Sequence, residues 1–280
     1  MYILFVNSPS TAEKSLLSDP LPKEIRLHSI HLKRMVKLTF LQPPNPEPNV
    51  PLAVLLVFDG QDFPALRLAK TLGEFCQARP QKPMLVIGIH ANKDRFYEYG
   101  IASQPDYAYR GNKAANTTQF VMDELIPYLK ANFTLSEDRS DWTIAGFSLS
   151  GLMALDIAWH HAEQFSKVGV FSGSFWWRQR ALDDDYDESD RIMHNLIRHA
   201  PGQPPLKFWF QTGTRDEEAD RDNDGIIDSI DDTLDLIAEL ERKGFKWGKD
   251  IVYEEVQEGE HHPATWAKIF PAFLRWAVGQ

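Results

Sequence analysis

Gly146-Phe147-Ser148-Leu149-Ser150-Gly151 sets a serine between small residues. An apolar run, Trp142–Ala145, precedes it, and a segment apolar nearly all round, Leu149–His161, follows. A serine hydroxyl is a weak nucleophile until a base takes its proton. It is presented to substrate when it stands on a tight strand-to-helix turn, and small neighbours let strand and helix approach. Ser148 is therefore the candidate nucleophile of an acyl transfer, with the Leu149 N–H at the helix N-terminus facing the developing oxyanion. The second glycine of the usual Gly-x-Ser-x-Gly pattern is Ser150 here, itself small and followed by Gly151. The competing reading is a plain Gly/Ser turn with an N-capping serine. The strand before it and the helix after it favour the nucleophile.

A nucleophile on such an elbow takes its partners in the chain order Ser, acid, His. Phe208–Phe210 runs into Gln211-Thr-Gly-Thr-Arg-Asp216-Glu217. Asp216, the first carboxylate past the turn, is the expected acid, and Glu217 is the runner-up. Gly259-Glu260-His261-His262-Pro263 follows the apolar run Ile251–Val256 and precedes the final helix, so the base is expected there. Spacing leaves His261 and His262 open. His160-His161 closes the helix that Ser148 opens and lies at its wrong end. The second oxyanion donor is expected after the early strand Leu52–Phe58, from the backbone N–H of Gly60 or Gln61 in Asp59-Gly60-Gln61.

A second pattern is independent of the first. Asp220-Arg-Asp222-Asn-Asp224-Gly225-Ile226-Ile-Asp228-Ser-Ile-Asp231 has the spacing of a twelve-residue calcium loop, with acids at positions 1, 3, 5, 9 and 12, glycine at 6 and the Ile226 carbonyl at 7. Asp231 stands where such loops carry Glu, with Asp232 as a substitute. The expected ion is structural and steadies the segment after Asp216. Catalysis itself needs no cofactor. The alternative is an acidic surface loop that caps the following helix.

Short apolar runs at 52–58, 84–89, 142–145, 167–171, 206–210 and 251–256 alternate with helical segments at 64–79, 113–131, 149–161, 229–243 and 265–278. Continuous apolar strands are buried on both faces, so the pattern predicts an α/β fold with a mostly parallel sheet and helices on both sides. Strands at 24–30 and 31–41 predict an antiparallel N-terminal hairpin. Pro271 predicts two pieces for the last helix. Residues 1–22 read as an extension, and 23–280 as one domain with an excursion at 175–204 that carries a short helix at 189–199 and is placed to cap the strand ends. With 30 Lys+Arg against 40 Asp+Glu, the net charge of −10 argues against non-specific binding to nucleic acid. One cysteine among 280 residues excludes an internal disulfide and a multi-cysteine zinc site. No apolar run is long enough for a membrane span or a secretory signal, so a soluble, cytoplasmic protein is expected.

Taken together these motifs resemble the esterase D and enterochelin esterase-like branch of the α/β-hydrolase superfamily. The resemblance runs from about Leu27 to Trp276. It rests on Asp59-Gly-Gln61, Arg95-Phe-Tyr-Glu-Tyr99, Arg110-Gly-Asn-Lys-Ala114, Glu124-Leu-Ile-Pro127, the elbow, Phe171-Ser-Gly-Ser-Phe-Trp-Trp177 and Gly259-Glu-His261…Trp266. In that family the catalytic histidine stands five residues before a tryptophan, so the resemblance chooses His261. It implies a serine hydrolase acting on carboxylic esters of small molecules or carbohydrates, with siderophore, feruloyl and acetyl-xylan esters among the family's substrates. Arg95, Tyr99, Arg110, Trp176, Trp177 and Arg178 are the expected substrate-pocket residues, cationic and aromatic and so suited to an aromatic or anionic acyl group. Core packing of the Trp pair and an Arg95–Glu98 ion pair are the structural alternatives. Acyl transfer on the same residues, or ligand binding without catalysis, are the functional ones.

Overall fold

The computed structural model of the protein describes residues 21–43, 50–78 and 82–279. Most of the expected N-terminal extension, the core of the Pro-rich loop after Leu41 and the end of the first helix lie outside them.

Among the described residues eight strands form one sheet in the order β1-β2-β4-β3-β5-β6-β7-β8. β1 (Lys23–Ser29) and β2 (Arg34–Leu41) make an antiparallel hairpin, and β2 also runs antiparallel to β4 (Met84–Ile89). β3 (Ala53–Phe58), β4, β5 (Trp142–Phe147), β6 (Lys167–Phe171), β7 (Lys207–Arg215) and β8 (Ile251–Glu260) are parallel neighbours. The second strand starts at Arg34 rather than His31. Ile30–Lys33 is spent on the turn, where Lys33 takes a positive φ and the Leu32 N–H donates to Ser29 Oγ.

Alternate residues of each central strand enter two cores. Val54, Leu56, Phe58 and Ile144 face one side, where α5 (Leu149–His160), α6 (Ile192–His199) and α7 (Asp228–Arg242) supply Leu152, Ile197 and Leu236. Leu55, Val57 and Phe147 face the other, against Leu72 of α1 (Leu68–Ala78) and Phe270 and Phe273 of α8 (Pro263–Ala277). Burial on both faces is why these strands read as continuous apolar runs. α8 passes through Pro271 without a break. Proline removes one backbone hydrogen bond, but Trp266, Phe270, Phe273 and Leu274 on either side of it are buried and hold both halves against the sheet. The expected helix 113–131 is one continuous run, α-helical over α3 (Ala114–Gln119), π-helical over Phe120–Leu125 and α-helical again over α4 (Ile126–Asn132). The wide turns lie just before Pro127, which has no N–H to give. A four-residue helix, α2 (Arg95–Glu98), follows β4.

β7 and β8 outrun the lengths expected of them. Asp216 follows directly on the last residue of β7, and His261 on the last residue of β8. The C-terminal edge of the parallel sheet therefore collects the ends of β5, β6, β7 and β8.

Candidate active site

Ser148 has φ 55° and ψ −124°, a backbone conformation that costs a non-glycine residue free energy and persists only where neighbours hold it. They do so on both sides. The Ser148 N–H donates to Phe171 O at 2.8 Å, and its carbonyl accepts from the N–H groups of Gly151 at 3.0 Å and Ser174 at 3.2 Å. A Cβ on Gly146 would lie 2.2 Å from the Ser150 carbonyl oxygen, so only glycine lets strand and helix meet there. Ser150 does more than fill a glycine position. Its hydroxyl accepts from the Phe147 N–H and donates to the Phe147 carbonyl, each at 2.8 Å, closing the turn that carries Ser148.

Ser148, Asp216 and His261 line one cavity of about 270 Å³, together with Arg95, Leu149, Ser174 and Trp176. Asp216 Oδ2 accepts from the Gly213 N–H at 2.9 Å, while Oδ1 is buried without a hydrogen-bond partner among the described residues. Burial raises the Asp216 pKa against the pull of the Gly213 N–H, the Ser172 hydroxyl and the His261 charge. Burial lowers the His261 pKa, with the Asp216 charge opposing and Arg95 assisting. Burial thus favours the neutral imidazole, the form that can accept a proton. His262 does not line this cavity; its Nδ1 accepts from the Ala264 N–H at 3.1 Å and caps α8. Glu217 lines the cavity beside Asp216, and its pKa is raised, chiefly by burial.

Leu149 opens α5, and Gly60 and Gln61 open a short 3₁₀ turn, so their N–H groups have no intrahelical acceptor. Gly60 and Gln61 line a separate hollow of about 640 Å³ on the hairpin side of the sheet. Between the two hollows stands Arg95. Its guanidinium makes two bonds to Asp59, at 2.9 and 2.7 Å, and a third to the Phe147 carbonyl at 3.3 Å. Arg95 therefore braces the β3 loop against the elbow. Its carboxylate partner is Asp59; Glu98 is held instead by Arg34 at 2.6 Å.

The expected pocket residues separate into groups. Tyr99 and Trp177 are fully or almost fully buried in the core, at 2 % and 0 % exposure, and do not line the cavity. Tyr99 packs on Phe58, and the Trp177 ring presses on Gly100 and Gly111. Trp176 lines the cavity, and the Arg110 and Arg178 guanidinium carbons lie 4.8 and 5.9 Å from its ring. Of the excursion, Trp176 is the residue that reaches this cavity. Nothing local in the sequence singles out Ser174 or Asp59, although both stand within the quoted motifs.

In the acidic loop, carboxylates of Asp220, Asp222 and Asp224 come within 4.8 Å of one another. Asp231 joins them electrostatically: burial and then the charges of Asp224 and Asp222 push its pKa up to about 6. Asp228 instead accepts from the Arg221 backbone at 2.8 Å and guanidinium at 3.2 Å, and Asp232 is taken by Arg191 and Arg221, both at 2.7 Å.

The sheet order, the elbow on β5 and the site at the C-terminal strand ends define an α/β-hydrolase fold. A family model described as "Putative esterase" matches residues 29–277, and the chain belongs to that family. A stretch of 103 residues is 35% identical to the iron(III) enterobactin esterase of Dickeya dadantii, covering 35% of this chain and 24% of that protein. The chain spans about a quarter of the length of the first curated relatives it matches. Among solved structures, enterochelin esterase from Shigella flexneri superposes with a TM-score of 0.70 at 18% identity, over 92% of this chain and 57% of that one. A ferulic acid esterase superposes with a TM-score of 0.70 at 14% identity, over 93% and 98%.

Proposed function

We propose that this protein hydrolyses carboxylic esters through an acyl-enzyme on Ser148. The observation that carries the reading is Ser148 itself, strained on the β5–α5 elbow and opening into the cavity that His261 and Asp216 also line. Ser148 Oγ attacks the ester carbonyl while His261 takes its proton. Asp216 orients the imidazole through its unpartnered Oδ1 and stabilises the imidazolium. The Leu149 N–H, on the wall of this cavity, receives the oxyanion; the expected second donor, Gly60 or Gln61, lines the neighbouring hollow beyond Arg95. His261 returns the proton to the leaving alcohol and then activates the water that releases the acid.

The proposed substrate is a small ester of an aromatic or anionic acid, as in the siderophore or feruloyl esters named for the similar proteins. The support is Trp176, which lines the cavity, with Arg178 and the Asp106-paired Arg110 stacked on its ring. The test is a panel of aryl, acetyl, feruloyl and catecholate-siderophore esters at equal concentration. The reading expects the aromatic members to be turned over fastest, and a preference for acetyl esters contradicts it. Among the described residues no helix is long and apolar enough to cross a membrane. A net charge of −10 supports a partner other than nucleic acid.

We also propose that Asp220, Asp222, Asp224, the Ile226 carbonyl and Asp231 hold a structural calcium ion, with Asp228 reaching it through water. Support comes from the three carboxylates gathered at 220–224 and the raised pKa of Asp231, which a divalent cation would lower.

A further inference from the structure

After β6 the chain turns through Ser172, at φ 46°, and Gly173 to Ser174, which is 4 % exposed. Ser174 Oγ lies 3.3 Å from Ser148 Oγ, and both residues line the same cavity. Among the described residues Ser148 is the only hydrogen-bond partner of the Ser174 hydroxyl. The Ser174 N–H is fixed on the Ser148 carbonyl and the Ser174 carbonyl on the Trp177 N–H, at 3.2 and 3.3 Å, so the backbone that carries the hydroxyl is anchored beside the elbow. A buried hydroxyl has one proton and two lone pairs to satisfy. Ser148 must give its own proton to His261 in order to react, so the productive arrangement has Ser174 as donor and Ser148 Oγ as acceptor.

We infer that Ser174 is a catalytic residue, whose hydroxyl donates to Ser148 Oγ and speeds release of the acyl group from it. The inference rests on the ester-hydrolase reading and adds a donor for an oxygen that the oxyanion donors do not serve. In deacylation, water adds to the acyl carbon and its proton goes to His261. The tetrahedral intermediate then collapses: the C–Oγ bond breaks, its electron pair returns to Oγ, and Oγ takes the proton from the imidazolium. Ser174 keeps its proton throughout. An interaction accelerates a step only by being stronger in the transition state than in the state before it. In the free enzyme Ser148 Oγ is a hydroxyl oxygen and already a good acceptor. In the acyl-enzyme it is the alkoxy oxygen of an ester, a poor one, which becomes alkoxide-like as the bond breaks. The gain from Ser174 is therefore larger in deacylation than in acylation.

The test follows acylation and deacylation separately in wild type and in Ser174→Ala, by stopped flow with p-nitrophenyl acetate and by the decay of the acyl-enzyme mass after a substoichiometric dose of ester. Deacylation is expected to slow about tenfold, the size of one hydrogen bond to a charged oxygen, while acylation changes by less than about threefold. Ser174→Thr keeps a hydroxyl and is expected to restore most of the rate. Deacylation within about twofold of wild type in Ser174→Ala would overturn the inference. So would equal slowing of both steps that Ser174→Thr does not relieve, because that is the mark of a packing role. The reading beneath it is tested separately by Ser148→Ala: retained hydrolysis there removes both, whereas a dead Ser148→Ala beside an unaffected Ser174→Ala removes this inference alone.

Discussion

Trp266 meets His261 edge to face, with ring centroids 5.4 Å apart and planes at 80°. The same indole stacks on Phe147, the residue before Ser148, at 4.9 Å, and its Nε1–H donates to Ser172 Oγ at 3.0 Å. One side chain thus ties the ends of β5, β6 and β8 together, and it gives the five-residue spacing from His261 a physical meaning.

That arrangement separates the two adjacent histidines. His261→Ala is expected to reduce kcat about as far as loss of the nucleophile does, with the fold retained. His262→Ala removes only a helix cap and is expected to cost about 1 kcal/mol of stability with little change in kcat. Steady-state kinetics with thermal melts on both variants checks this, and the reverse ranking would refute the placement of the base.

Asp216 and Glu217 are separated in the same way. Asp216→Asn is expected to lower kcat by about four powers of ten, less than loss of Ser148, because it disturbs the imidazole but leaves nucleophile and oxyanion donors in place. Glu217→Gln is expected to change kcat little. If Glu217→Gln proves the more damaging, the acid is the neighbouring residue.

The hydroxyl of Ser150 gives a stability prediction. Ser150→Ala leaves the buried Phe147 N–H without its partner and is expected to cost about 1–3 kcal/mol in a denaturant titration. Gly146→Ala would drive a Cβ into the Ser150 carbonyl and is expected to be worse. Equal stability of wild type and Ser150→Ala would show that the elbow does not depend on this bond.

For the acidic loop the sign follows from Asp231. A carboxyl whose pKa is raised on folding, here from 3.8 to about 6, favours the folded state below pH 3.8 and loses that contribution as pH rises to about 6. Calcium binds the ionised loop and removes the repulsion. Millimolar calcium added to chelator-stripped protein is therefore expected to raise Tm by several degrees at pH 7.5 and by much less at pH 5. Asp222→Ala combined with Asp224→Ala is expected to abolish the rise. No shift at pH 7.5, with no bound metal by mass spectrometry, would reject the ion.

The parallel sheet was legible because its strands are buried on both faces and so appear as unbroken apolar runs. Ser148 was legible because the elbow is local: Gly146, Ser150 and Gly151 are its neighbours in sequence. What the sequence hid depends on contacts across the sheet. Trp177 and its neighbour Trp176 look alike in a string, yet one is core and the other faces the cavity. The sequence offers Glu98, three residues away, as the alternative partner of Arg95, whereas the carboxylate that holds it, Asp59, lies on another strand end. Pro271 failed to break α8 because tertiary burial outweighs one missing hydrogen bond. Ser174 was invisible as a contact of Ser148 because the two are joined through the β5–β6 register, in which Phe147 pairs with Phe171.

The central claim is that Ser148 is acylated and turns over. The most direct measurement is intact-protein mass spectrometry after reaction with a fluorophosphonate, alongside p-nitrophenyl acetate kinetics of wild type and Ser148→Ala. The account predicts a single adduct that maps to Ser148, with wild-type turnover lost in parallel, and a folded Ser148→Ala that takes no label and is slower by roughly six powers of ten. A folded Ser148→Ala that still hydrolyses the ester at the wild-type rate, or a wild type that takes no label and shows no turnover, would contradict it.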